Sequence, residues 1–177
     1  MHYIISKKIY NSIMIDQEES YKRTTIVFPI VESKILLGMK KRGFGEGWWN
    51  GFGGKLENNE TYNDCAIREC LEEAGIEVGQ LRHIANLHFF FDNVLKVVSK
   101  AYIADGFDGA PTESDEMKPE LFDLNNIPYN NMWPADKFWI SKSLDINDGP
   151  LGFIINFENN LVESIKEVNH QSLEDKL

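Results

Sequence analysis

Residues 68–76 read RECLEEAGI, and they place Glu69, Glu72 and Glu73 within five positions. The spacing is i, i+3, i+4, so on a helix the three carboxylates share one face. Like charges at that spacing destabilise a helix by about 0.2–0.5 kcal/mol per pair. A solvated acidic face is the ordinary outcome of such a run. A coiled-coil seam would need a sustained a/d pattern, and none surrounds these residues. The neighbouring sequence has to say what the acids are for.

The helix is well punctuated. Thr61 suits the N-cap, with Asp64 as its capping-box partner, and Gly75 suits the C′ position. Between them Ala66, Ile67, Cys70, Leu71 and Ala74 would cover an arc of roughly 140° as a core stripe, with the glutamates off it. Upstream, TTIVFPIV (24–31) and KILLGMK (34–40) are β-rich runs split by a polar turn, and Pro29 predicts an edge or bulge in the first. KKRGFGEGWWNGFGGK (40–55) is a glycine-dense loop that lets backbone approach a ligand closely. Its Phe44, Trp48, Trp49 and Phe52 are too apolar for an idle surface loop. Downstream, 84–91 and 94–104 read as strands around Asp92-Asn93, 105–116 as an acidic loop, and 117–124 as another strand. Pro134 can open a helix over ADKFWISKSL. Residues 153–168 fit a hairpin around Asn159-Asn160, or a strand followed by a helix. The last nine residues are expected to be loose. Strands mixed with two helices predict an α/β domain. The organisation expected is an N-terminal extension over 1–20, one domain over 21–170 and a tail over 171–177.

The 177 residues suffice for one domain with a real core, and a net charge of −10 argues against wrapping a nucleic acid polymer. Cys65 and Cys70 form neither a disulfide framework nor a zinc spacing, which suits a reducing compartment. No apolar run approaches the length of a membrane span. The opening MHYIISKKIYNSIMID is not a secretory signal. A cytoplasmic protein without a membrane partner is expected, and a monomer.

What lifts the three glutamates above a solvated face is the segment GGKLENNETYNDCAIRECLEEAGI, residues 53–76. A glycine, five residues, Glu60, seven residues, Arg68-Glu69, then Glu72-Glu73 and Gly75 resemble the Nudix box. Cys70 occupies an aliphatic slot of that pattern, and Asn59 stands where many members have glycine. LLGMKKRGFGEGWWNGFGGK, TESDEM and NMWPADKFW extend the resemblance to the oxidised-purine nucleoside triphosphatase (8-oxo-dGTPase, animal MutT-type) branch, over residues 24 to about 168. The resemblance implies a Nudix fold, a mixed β-sheet sandwiched between helices (α/β/α).

Hard divalent cations take carboxylate and carbonyl oxygens, so a cation would reverse the repulsion among the acids. The resemblance implies Mg2+, with Mn2+ as an alternative, held by Gly53, Glu69, Glu72, Glu73 and, by the TESDEM match, Glu116. It implies an ion pair between Glu60 and Arg68 that braces the loop. Water attack on a triphosphate would give a nucleoside monophosphate and pyrophosphate. Glu73 is the first choice of general base, with Glu69 and Glu116 behind it. At the substrate, a small nucleotide, it places Thr25, Lys40, Phe44, Asn50, Phe52, Gly53, Gly54, Lys55, Phe89, Phe91, Trp133, Asp136 and Trp139. Plain core packing is an equal reading for Phe89 and Phe91. For Asp136 the plain reading is a favourable first-turn charge, which would keep it ionised. Two departures bear on the base. Ala135 replaces one of two adjacent aspartates of the branch, and Trp48 replaces an arginine. Alternatives are a Nudix hydrolase of other nucleoside triphosphates or nucleoside diphosphate derivatives, and a non-catalytic Nudix module.

Overall fold

The computed structural model describes residues 21–43, 45–145, 148–159 and 161–176. The expected extension over 1–20 lies outside them, as do Phe44 and Asn160. Eight strands run in chain order: β1 (Lys22–Val31), β2 (Lys34–Lys40), β3 (Trp49–Asn50), β4 (Leu81–Phe91), β5 (Val94–Asp105), β6 (Met117–Asp123), β7 (Leu151–Glu158) and β8 (Leu161–Val168). Helix α1 (Tyr62–Ala74) follows β3 and helix α2 (Asp136–Leu144) follows β6. Among the described residues no helix is long and apolar enough to cross a membrane.

The sheet is mixed. Its order is β3-β2-β1-β5-β4-β7-β8, with β6 on β2. β1 with β5 and β4 with β7 are parallel, and the other pairs are antiparallel. The parallel pairs need long crossovers: the stretch from β2 to β4 with α1 joins β1 to β5, and the stretch from β5 through α2 joins β4 to β7. Alternation along the strands makes two cores, one on each face. One face buries Phe28, Leu87, Ile103 and Phe153 against Trp139 and Ile140 of α2. The other buries Val27, Phe52 and Tyr102 against Ala66, Cys70 and Ala74 of α1. This is the α/β/α arrangement.

Several local expectations change. Pro29 sits on an interior strand, since β1 pairs with β5 over Lys22–Ile30. Its missing N–H is tolerated because the other side of β1 changes partner there: Val27 bridges Phe52, and pairing with β2 begins only at Ile30. The hairpin reading of the late segment holds, since β7 and β8 pair antiparallel. The final residues are not loose. His170–Lys176 form a 3-10 segment whose Leu173 is buried. Both Asp92 and Asn93 take positive φ, the backbone of a tight two-residue hairpin turn.

The core stripe of α1 is rotated from the expected one. Ile67 and Leu71 are exposed, and Glu73 is buried with Cys65, Ala66, Cys70 and Ala74. The helix turns its acidic flank partly inward, under the glycine loop, and leaves two aliphatics in water. The caps hold: Thr61 accepts from the Asp64 amide at 3.1 Å and donates to its carboxylate at 2.6 Å, while Gly75 is left-handed at φ 67°.

Candidate active site

Glycine dictates how closely loop and helix approach. At Gly53, φ is 152°, and a Cβ there would lie 2.1 Å from the Thr25 carbonyl oxygen. At Gly54 a Cβ would lie 2.2 Å from the Glu69 carboxylate. No side chain fits at Gly53, where the neighbour is backbone, and at Gly54 one would displace the Glu69 carboxylate, so the Gly-Gly-Lys turn lies directly on β1 and α1. The turn is held by backbone bonds from Thr25 N to Gly54 O and from Val27 N to Phe52 O. Asn59 closes the loop with φ 65°, a conformation that asparagine tolerates.

One cavity results, lined by Lys40, Gly53, Gly54, Lys55, Glu69, Glu72, Glu73, Ser114, Asp115 and Glu116. It unites the three helix glutamates with an acid more than forty residues away. The link is the 105–116 loop, which crosses the end of α1: Thr112 N donates to Ala74 O, and Glu77 and Asp108 bridge. Ser114 and Asp115 were not expected as lining. Their only sequence signal is their place in TESDEM.

Arg68 serves three of the acids, while Glu116 and Glu73 have other partners. Arg68 forms two bonds with Glu60, Nε to Oε1 at 2.7 Å and Nη2 to Oε2 at 3.0 Å. Its Nη1 donates to Glu69 at 2.8 Å and Glu72 at 3.1 Å. The Arg68 bond holds Glu60 down at about pKa 2. Glu60 also accepts from the Glu57 amide, which secures the loop to the helix as expected. Glu116 pairs with Arg42 and its pKa is lowered by that bond. Among the described residues Glu73 accepts from Gly53 N alone, at 2.9 Å, and burial pushes its pKa up to about 7, with Glu69 adding to the rise. Burial also raises Glu69. A buried carboxylate raised by desolvation in a cleft marks a candidate functional group.

The donor set suits a hard divalent ion: four carboxylates and a glycine-loop backbone around one opening. Among the described residues, no group of three acids, histidines or cysteines stands gathered for an ion. Glu69 and Glu72 are turned to Arg68, and Glu116 to Arg42.

The aromatic residues gather on the opposite face. Phe91 stacks on Phe157 at 4.8 Å and 8°, Phe89 lies 6.4 Å from Phe157, and Trp133 meets it edge-on at 6.3 Å. Trp48 packs on Trp133 at 4.8 Å. Phe157 was not singled out from sequence, because β7 reads as ordinary apolar strand. Trp48 joins the cavity to this cluster: its carbonyl accepts from the amide of Lys40, whose side chain lines the cavity. Asn50 lies between them on β3, half-buried and paired with Gly38.

Three residues expected at the substrate are buried. Thr25 points to the α1 side, its hydroxyl 3.4 Å from Cys65 Sγ, because its neighbours Thr24 and Ile26 take the other face. Phe52 is fully buried under α1 and serves the core. Trp139 is buried against Phe28, and its Nε1 donates to Asp136 Oδ1 at 3.0 Å. Asp136 differs from expectation too. Burial outweighs the helix end and pushes its pKa up to about 7. Its Oδ2 is buried with no hydrogen-bond partner among the described residues.

The NUDIX domain family model matches residues 20–142. The chain belongs to the Nudix family. This Nudix chain is 45% identical over 119 residues to the oxidized purine nucleoside triphosphate hydrolase of Danio rerio, covering 67% of this chain and 76% of that protein. The Mus musculus protein of the same name is 45% identical over 116 residues, covering 65% and 74%. Among solved structures, the MutT protein from Bacillus halodurans superposes with TM-score 0.72 at 25% identity, covering 82% of this chain and 97% of that one. A NUDIX hydrolase from Nitrosomonas europaea gives 0.61 at 27% identity, covering 80% and 82%.

Proposed function

We propose that this Nudix protein hydrolyses purine nucleoside triphosphates oxidised in the base, such as 8-oxo-dGTP, to the monophosphate and pyrophosphate, removing them from the nucleotide pool. The carrying observation is the carboxylate cavity joined through Lys40 and Trp48 to an aromatic cluster beside Asp136. The names of the Danio rerio and Mus musculus relatives support the substrate class.

Glu69, Glu72, Glu73 and Glu116, with the Gly53 backbone, would hold Mg2+, or Mn2+ in its place. When bound, that ion would neutralise phosphate charge and lower the pKa of a water. Lys40 and Lys55 take phosphate oxygens at the cavity wall. Glu73, which lines the cavity and is held by the Gly53 amide, accepts the proton of the attacking water. Water oxygen bonds to one phosphorus of the α–β phosphoanhydride, the bond from that phosphorus to the bridging oxygen breaks to give the monophosphate and pyrophosphate, and the proton on Glu73 passes to solvent.

At the base, Trp133, Phe89, Phe91, Phe157 and Trp48 supply flat apolar walls. Asp136 Oδ2 is the polar group that meets the purine edge. Near neutral pH it exists in both protonation states. Protonated, it donates to O6; ionised, it accepts from N1–H and N2–H. Ala135 leaves this single carboxyl to do what two would share, so discrimination between 8-oxo-dGTP and dGTP is modest, and use of adenine-type bases is weak. The test is pyrophosphate release from 8-oxo-dGTP, dGTP and 2-hydroxy-dATP with Mg2+, in wild type and Ala135→Asp. The expected ranking is 8-oxo-dGTP first, with Ala135→Asp widening its lead. No Mg2+-dependent pyrophosphate release from any of the three overturns the reading.

A further inference from the structure

We propose that Arg42 is an exchanging cation of this site: it holds Glu116 while the site is empty of ion, and passes to the triphosphate when a divalent cation takes that carboxylate. The proposal rests on the reading of the site as a cation-dependent triphosphate hydrolase.

Arg42 Nη2 and Glu116 Oε1 are 2.5 Å apart, across an ion pair whose side chains are 63% and 46% exposed. Exposed pairs contribute little to stability. Nor does this pair carry the join between the two loops. Lys41 N donates to Glu116 O at 2.8 Å, Lys41 Nζ donates to Ser114 O at 2.7 Å, and Lys41 pairs with Glu113 at 2.7 Å. The loops therefore stay together when Arg42 lets go, and its guanidinium stays beside the cavity. Glu116 lines that cavity and is turned away from its acidic neighbours by this one contact.

The other arginine of the site is not so placed. Arg68 is fastened by two bonds to Glu60 and a third to the Lys55 carbonyl, so it keeps its position whichever acid is ligated. Arg42 has one carboxylate contact and is more exposed, so it can leave. A triphosphate brings more negative charge than Lys40 and Lys55 neutralise by themselves. The guanidinium fork matches phosphate oxygens as it matches carboxylate oxygens. Release of Glu116 to the ion thus frees, next to the phosphates, the one side chain of matching geometry.

The experiment uses full-length wild type, Arg42→Gln, Arg42→Lys, Glu116→Gln and the double variant. Mn2+ binding is titrated without nucleotide, by the spin signal of free Mn2+, and steady-state kinetics are measured on 8-oxo-dGTP. Arg42→Gln is expected to bind Mn2+ about two- to fivefold tighter, since no exposed pair has to be broken. Its KM is expected to rise about tenfold, with kcat within about twofold. Arg42→Lys falls between. In the Glu116→Gln background Arg42→Gln gives no further tightening. A brace would behave differently, weakening Mn2+ binding and lowering kcat. Turnover in wild type with unchanged Mn2+ affinity or unchanged KM in Arg42→Gln overturns this proposal alone. No turnover in wild type, with Mn2+ tightening present, overturns the hydrolase reading and the phosphate role with it.

Discussion

Glu73 and Gly53 are joined by a hydrogen bond of 2.9 Å from the Gly53 amide to Glu73 Oε2, and among the described residues it is the one hydrogen bond to a carboxylate buried in the α1 interface. The bond sets the glycine loop against the helix at the point where the acids converge. Burial still raises the pKa of Glu73 to about 7, so one amide does not replace the lost water.

Glu73→Gln keeps an acceptor for that amide and removes the charge. The fold is expected to survive, and kcat to fall by on the order of a hundredfold or more, as the general base is lost. Circular dichroism and pyrophosphate release check the two halves. Near-normal turnover with normal Mg2+ dependence would show that Glu73 is neither base nor ligand.

Millimolar Mg2+ or Mn2+ is expected to raise Tm, because the cavity that these acids line exists in the native state and not in the unfolded chain. The gain should shrink in Glu69→Gln/Glu72→Gln. A thermal scan with and without ion reads this directly, and a Tm insensitive to both ions contradicts the assignment of the ligands.

Asp136 offers a pH test. Its folded pKa of about 7 lies above the ordinary aspartate range, so the fold prefers the protonated acid. That preference stabilises below the unfolded pKa and is lost as pH rises through about 7. Asp136→Asn has no proton to lose and can still accept from Trp139 Nε1. The difference in Tm, variant minus wild type, is therefore expected to increase steadily from pH 4 to pH 8. A flat difference would mean that the carboxyl ionises without cost.

His88 works in the other direction. It is fully buried on β4 beside the Leu173 backbone, and burial pushes its pKa down to about 4. The fold holds it neutral. Its contribution is present above the unfolded pKa of about 6.5 and is lost as pH falls toward 4, on the order of 3 kcal/mol in full. His88→Leu is expected to flatten the acid limb of the stability curve. Leu173 and Glu174 of the C-terminal segment pack over this region, with Glu174 accepting from Asn86 at 2.8 Å, so proteolysis of that segment near pH 5 should slow in the variant.

The run from Gly54 to Gly75 by itself determined the helix, its two caps, the Glu60–Arg68 brace and the presence of three carboxylates along one cavity. These follow from spacing along a single helix and its adjoining turn, where each contact lies within a few residues and helical geometry leaves little choice. Most strands were legible for the same reason, from period-two patterning and the turns at Glu32-Ser33 and Asp92-Asn93. The rotation of α1 was not legible. Pattern alone put Ile67 and Leu71 inwards, and only the glycine loop lying on Glu69 and Glu73 shows why the acidic flank faces in. The side to which Thr25 points, the burial that keeps Asp136 near pKa 7, the share of Phe157 in the aromatic cluster and the hold of Arg42 on Glu116 were decided by tertiary structure. Each depends on which distant segments are brought to one face of the sheet, and desolvation there outweighs the local dipole and charge terms that a sequence displays.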